Sequence, residues 1–205
     1  AGGLKGSLQC HEADSLELPV VDEAILQDLD TPGDYDRMRA RLNTEGLPSG
    51  EECRVLMEQM RELPPPVADH CRAVSRVALQ LARALEAAGA AIDVELVRTA
   101  ALLHDIARTE KNHAHAGAQL LASHGFSRLA PIVSVHMDLD VNGDRPLDEA
   151  QVVYLADKLV DGDRCVDMER RFSRQMETYS GNRGVVDAIV RRWENTRLIR
   201  IKVEG

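Results

Sequence analysis

Six imidazoles and carboxylates of the 205-residue chain fall at apolar positions of helix-forming stretches: His70, His104, Asp105, His113, His136 and Asp157. A single residue of this kind is commonly a core polar group satisfied by a hydrogen bond. Six of them, on five predicted helices, would leave a cluster of unpaired polar groups in one interior unless something bound them together. Divalent metal ions bind such donors in helix-bundle cores. Nitrogen and oxygen donors without thiolate suit iron, manganese, nickel, cobalt or zinc, and affinity order does not choose among these. The adjacent His104 and Asp105 are the centre of the set. They follow Ala100-Ala-Leu-Leu103 and precede Ile106 and Ala107, so an unpartnered imidazole or carboxylate there is costly. A hydrogen-bonded structural pair and metal ligation both answer that cost.

The elements that must position these residues read as helices from residue 50 onward, and the expected fold is all-α. Glu51 to Glu62 carries Val55, Leu56, Met60 and Leu63 on one side and stops at Pro64-Pro-Pro66, which also suits a new first turn. The next helix is predicted from about Pro66 to Ala88, with His70, Cys71, Val74, Ala78 and Leu85 on one stripe and Gly89 as its end. Asp93 is the expected cap of a helix leading to His104 and Asp105. Further helices are predicted over His113 to Ser123, Ser127 to His136, Leu147 to Val160, 167 to 179 and 184 to about 201. Asp138 to Pro146 reads as an exposed loop.

Residues 1 to 45 read as a short irregular N-terminal arm ahead of a bundle spanning residues 50 to 205. Leu16 to Val21 leans to β structure and is broken by Pro19, and Thr31-Pro-Gly-Asp34 marks a helix start with Asp34 as candidate N-cap for Tyr35 to Thr44.

Composition narrows the function. A formal charge of -9 works against nucleic-acid backbones and anionic membranes as partners, yet a small phosphorylated substrate stays open because bound metal ions reverse the local potential. Cys10, Cys53, Cys71 and Cys165 show neither a zinc-knuckle nor a disulfide pattern and read as free thiols. No apolar run approaches the roughly 20 residues of a membrane span, and residues 1 to 20 lack a signal-peptide pattern, so the expected location is cytoplasmic.

His70, Leu103-His104-Asp105-Ile106 and Asp157, in that order, resemble the signature of the HD-domain metal-dependent phosphohydrolases. His113-Ala-His-Ala-Gly-Ala118 and Val135-His136 resemble the subset with two further histidines, and Tyr154-Leu-Ala-Asp-Lys158 with Arg164 is similar to the closing segment of bacterial HD-type diadenosine tetraphosphate hydrolases. The resemblance covers roughly residues 66 to 165. It implies one or two divalent metal ions and hydrolysis of a phosphate ester or anhydride of a small nucleotide-like substrate by a metal-activated water. One ion would be held by His70, His104, Asp105 and Asp157, while His113 and His136 would let Asp105 bridge to a second. Arg108, Lys158 and Arg164 are candidates for phosphate contact, with Lys111 a weaker one, and the catalytic assignment is Asp105, Arg108 and Lys158.

His115 would point about 160° away from His113 around a helix, His124 sits at a helix end and His11 lies in the arm, so none joins the set. The Gly-Tyr-Pro motif of HD-family cyclic-dinucleotide phosphodiesterases is absent. Gly3-Leu-Lys-Gly6, Leu18-Pro-Val20 and Asp28-Leu-Asp-Thr-Pro-Gly-Asp-Tyr35 resemble the C-terminal end of molybdenum-cofactor nucleotidyltransferases. That likeness implies an upstream nucleotidyltransferase domain in a longer protein, and the alternative function is then an HD-scaffold nucleotide-sensing or regulatory module attached to it.

Overall fold

Thr31 and Asp34 cap one another at the start of the first long helix of the described residues. The Asp34 carboxylate accepts from the Thr31 backbone N–H at 2.7 Å and its hydroxyl at 2.6 Å, while Thr31 Oγ1 accepts from Asp34 N–H at 3.2 Å. Helix α1 accordingly spans Pro32–Leu42, with the proline in its first turn and Asp34 inside the helix, not ahead of it. The cap lies one turn earlier than expected because Thr31 supplies the hydroxyl and Pro32 the preset φ. The computed structural model describes residues 6, 10–16, 18–42, 46–141 and 146–205. Parts of four sequence expectations lie outside them: Gly3 to Lys5 of the N-terminal likeness, Glu17 of the Leu16 to Val21 stretch, the end of the helix expected to reach Thr44, and 142–145 of the loop after Asp138.

Among the described residues of the arm before α1 are two short 3-10 turns, Glu12–Asp14 and Glu23–Leu26. It meets the bundle at the start of α2 (Gly50–Arg54), where Ser49 and Glu52 form a capping box. The same Glu52 carboxylate accepts from Glu23 N–H, Ser49 Oγ donates to Glu23, and Val21 is buried. Most apolar side chains of the arm, Leu16, Leu18, Ile25, Leu26 and Leu29 among them, remain exposed.

From α2 the chain runs through a π-helical stretch, Val55–Met60, to Pro64 and enters α3 (Pro65–Ala87), which starts on prolines as expected. Gly89, at φ 89°, then releases it. Helix α4 (Val94–Leu103) is capped by Asp93, whose carboxylate accepts from Leu96 N–H at 3.0 Å. The buried faces of α3 (Ala73, Val74, Ala78, Ala82) and α4 (Val97, Ala100, Ala101) are built of small residues, which lets the two helices pack closely. Residues 104 to 112 are successive turns. Helices α5 (His113–Ser123) and α6 (Leu129–Val135) pack on one another, and α7 (Glu149–Lys158), buried along most of its length, lies against α3, α4 and α6.

Among the described residues the all-α expectation meets one small exception. Val160–Asp161 (β1) pairs antiparallel with Arg164–Cys165 (β2) around Gly162, whose φ of 60° suits a residue without a side chain. Helices α8 (Met168–Thr178) and α9 (Arg183–Glu204) close the fold, α9 packing on both α7 and α8. Among the described residues no helix is long and apolar enough to cross a membrane. The four cysteines are free thiols, with Cys53 and Cys71 buried.

Candidate metal centre

The six donors meet although they come from five places in the chain. His70 stands on α3, His104 and Asp105 follow the end of α4, His113 opens α5, His136 closes α6 and Asp157 lies on α7. Around them Leu103, Ile106, Leu121, Leu129 and Val133 are buried, each contributing about 1.5–3 kcal/mol by removal from water. That packing fixes the helix ends, and the helix ends fix the imidazoles.

Backbone carbonyls orient three of the rings. Nδ1 of His70 donates to Gly162 O at 2.8 Å, Nδ1 of His104 to Ala101 O at 2.8 Å, and Nδ1 of His136 to Val133 O at 2.7 Å. A carbonyl can only accept, so each Nδ1 carries hydrogen and each neutral ring turns an Nε2 lone pair inward. At His113 the inward Nε2 accepts from Arg108 Nη1 at 3.2 Å, which assigns the same tautomer to the fourth ring.

What these lone pairs face is other acceptors. His70 Nε2 is 3.1 Å from Asp157 Oδ1, and His104 Nε2 is 3.7 Å from both Asp157 Oδ1 and Asp105 Oδ2. His113 Nε2 and His136 Nε2 are 3.2 and 3.3 Å from Asp105 Oδ1 and 3.3 Å from each other. The buried His104 Nε2 and Asp105 Oδ1 have no partner in hydrogen-bond geometry. Donors sharing one ion at bond lengths of about 2.0–2.1 Å lie roughly 3.0–3.4 Å apart, which is the spacing of most of these contacts. The arrangement fits divalent ions. His70, His104 and Asp157 form one cluster and His104, Asp105 and His136 a second, overlapping one, which His113 joins by its distances to Asp105 and His136.

The electrostatics agree. Complete burial lowers the His104 pKa to about 4 against the pull of Asp105 and Asp157, so the ring is neutral near pH 7. Burial likewise lowers that of His113, helped by His136 and Arg108. At His70 burial pulls down, but the hydrogen bonds to Asp157 and Gly162 outweigh it and the ring is more basic than usual. Burial would raise both carboxyls, yet His136, His104 and Arg108 keep Asp105 below the ordinary carboxylate range, and Lys158, His70 and His104 keep Asp157 well below it.

The cluster opens on a cavity of about 360 Å³ whose walls include His70, Asp105, His136 and Asp157 together with Arg108, Arg171 and Arg192. Arg108 is exposed and stands 3.7 Å from Asp105. Lys158, expected at phosphate, borders the cavity but is buried, with Nζ 2.5 Å from Asp157 Oδ2 and 3.1 Å from His136 O. Arg164 is exposed beside Asp163 and does not line the cavity, and Lys111 is exposed. His115 is exposed and His124 caps the C-terminus of α5, as their positions suggested.

Sequence reasoning missed three contributors. Gly162 O orients His70, Arg171 Nη1 donates to Asp157 O at 2.7 Å and to Val160 O, and Arg192 holds Asp138 through two hydrogen bonds of 3.0 and 3.1 Å at the cavity wall. The Asp161-Gly162 turn pair was a usable signal for the first. Arg171 and Arg192 sit in arginine-rich helices where nothing local separates a cavity residue from a solvated one.

The chain matches the family model described as the HD domain over residues 67–160, a span that contains all six donors. An uncharacterized protein of Methanocaldococcus jannaschii is 32% identical over 130 residues, covering 54% of this chain and 77% of that protein. No solved structure matches the chain. The nucleotidyltransferase likeness of the arm lies ahead of the matched span and remains an expectation read from its residues.

Proposed function

The chain belongs to the HD-domain family, and from that membership together with its donor cluster we propose a metal-dependent phosphohydrolase that cleaves a phosphate ester or anhydride of a small nucleotide-like substrate. The observation that carries the reading is the convergence of imidazole Nε2 atoms and carboxylate oxygens at 3.1 to 3.3 Å around the buried His104 Nε2 and Asp105 Oδ1, which have no hydrogen-bond partner and which a cation would satisfy. His70, His104, Asp105 and Asp157 would hold one divalent ion, with His113, His136 and the bridging Asp105 holding a second. Bound there, such ions supply a Lewis acid for the phosphoryl oxygens and acidify water to a nucleophile at neutral pH.

The rest is the work of this chain's side chains. Asp105 has one oxygen toward His113 and His136 and the other toward His104, so it fixes the spacing between the two clusters. The backbone-bonded Nδ1 atoms keep the imidazoles in register while charge moves at the reacting centre. Arg108 presents a guanidinium fork on the cavity wall, suited to two phosphoryl oxygens at once.

Asp105→Ala tests the reading. Purified protein is assayed for bound metal by elemental analysis and for phosphate release across nucleotides and dinucleoside polyphosphates. The variant should lose metal and hydrolysis while keeping its helical circular dichroism. Undiminished hydrolysis by Asp105→Ala would sink the assignment.

A further inference from the structure

The ammonium of Lys158 has three neighbours and three hydrogens to give them. Nζ reaches Asp157 Oδ2 at 2.5 Å and His136 O at 3.1 Å, and it lies 4.5 Å from the centroid of the Tyr154 ring. The side chain is 8% exposed. Adjacent residues on a helix diverge by about 100°, so this contact between neighbours requires the long lysine stem to fold back over α7. Its carbonyl partner belongs to the C-cap of α6, where peptide oxygens lack helical partners and a cation is favourable.

The carboxylate of Asp157 is divided by this contact. Oδ1 faces His70 and His104 at 3.1 and 3.7 Å, while Oδ2 faces Lys158. An oxygen held by an ammonium is a poor second ligand, and the ammonium withdraws charge from the first. Metal ligands commonly depend on such partners for orientation and donor strength.

We propose that Lys158 is a positioning residue of the metal centre, holding Asp157 to a single donor oxygen and weakening cation binding at the His70, His104 and Asp157 cluster, and that it does not bind substrate phosphate. The inference rests on reading the cluster as a metal centre. Its function would be to leave the bound ion under-neutralised, hence more acidic and more readily exchanged, than a free buried carboxylate would.

Removing the charge should therefore strengthen metal binding, the opposite of what removing a structural or substrate contact does. The test uses the full chain and Mn²⁺ alone, measuring its dissociation constant by titration and the melting temperature with and without it, with KM and kcat as a separate readout. In Lys158→Met, Mn²⁺ is expected to bind at least about tenfold more tightly, because a unit charge a few ångströms away in a buried site is worth more than that. The melting temperature should fall without Mn²⁺ and recover with it, and KM should stay within about twofold. Lys158→Arg, which keeps the charge, should restore the wild-type Mn²⁺ constant. If Lys158→Met does not fold, Lys158→Gln keeps a donor without the charge and should show the same tightening. Unchanged Mn²⁺ affinity with a raised KM would make Lys158 a substrate contact, and weakened Mn²⁺ binding with lower melting in both states would make it structural only; either overturns the proposal. Wild-type protein that binds no Mn²⁺, Co²⁺ or Zn²⁺ would instead remove the metal-centre reading itself.

Discussion

His113 Nε2 and His136 Nε2 lie 3.3 Å apart on two different helices, with Asp105 Oδ1 within 3.3 Å of both. Neither nitrogen has a proton to give the other, since His136 spends its hydrogen on Val133 O and His113 accepts from Arg108. The first prediction follows from that triangle. His136→Ala should lower the metal content from two ions per chain to one, leaving the His70 side of the site loaded. Elemental analysis of wild type and variant decides it, and equal contents would mean a single ion.

Acid should destabilise the metal-free protein, beginning above the range of ordinary carboxylates. His104 has a pKa of about 4 folded against 6.5 for an ordinary histidine, so between those values the unfolded chain binds a proton that the folded chain refuses. Stability then rises with pH, and its loss on acidification from pH 6.5 to 4 is on the order of 3 kcal/mol from this residue. Asp105 and Asp157, held below 3.8, continue the loss at lower pH. His70 works the other way: its raised value stabilises the fold below pH 6.5 and stops doing so as pH rises through the folded value. Urea unfolding of chelator-treated protein at pH 7, 6, 5 and 4 should show falling midpoints. His104→Gln should flatten that slope.

Most of the helical frame was legible from residue types. Pro65 and Pro66, Asp93 and Gly89 sit at the ends of helices in roles their chemistry prescribes. The donors were legible too, because an imidazole or carboxylate at an apolar position stands out against its neighbours. What could not be read was direction. Lys158 looked like a free cation beside a ligand, and only the fold-back of its stem turns it onto Asp157. The hairpin at Gly162 has two residues in each strand, too few for a period-two pattern, yet it supplies the carbonyl that orients His70. At Thr31 the reading went astray by one turn, since both Thr31 and Asp34 are good caps and sequence does not say which supplies the backbone.

Gly117 permits the close approach that puts His113 against Asp105. A Cβ there would lie 3.1 Å from Ile106 Cγ2 and 3.3 Å from Val133 Cγ1, both on the elements that carry the second cluster. Gly117→Val should cost about 1–3 kcal/mol by overpacking and push α5 outward. Gly117→Ala should cost less, since alanine favours helix over glycine by about 1 kcal/mol and the clash needs only small shifts. The valine variant should lose affinity for the second ion with the first retained, read by metal titration beside the urea midpoint.

Arg108 contends with a cation for the same atoms. Its Nη1 is 3.2 Å from His113 Nε2 and its Nε 3.7 Å from Asp105 Oδ2, while about half of its side chain is open to solvent. A second ion bound to His113 and Asp105 would repel the guanidinium and take the lone pair it now uses. The side chain is then free to meet phosphate in the cavity it lines. Arg108→Ala should consequently have two effects of opposite sense. Affinity for the second ion should rise severalfold, and kcat/KM should fall roughly 10- to 100-fold as a charge-assisted fork to phosphate is lost. Arg108→Lys, a point charge without the fork, should keep the ion affinity near wild type yet recover only part of the rate. Metal titration and steady-state kinetics on the same preparations separate these effects. If both variants lost metal and activity together, Arg108 would be a support of the second cluster and not its competitor.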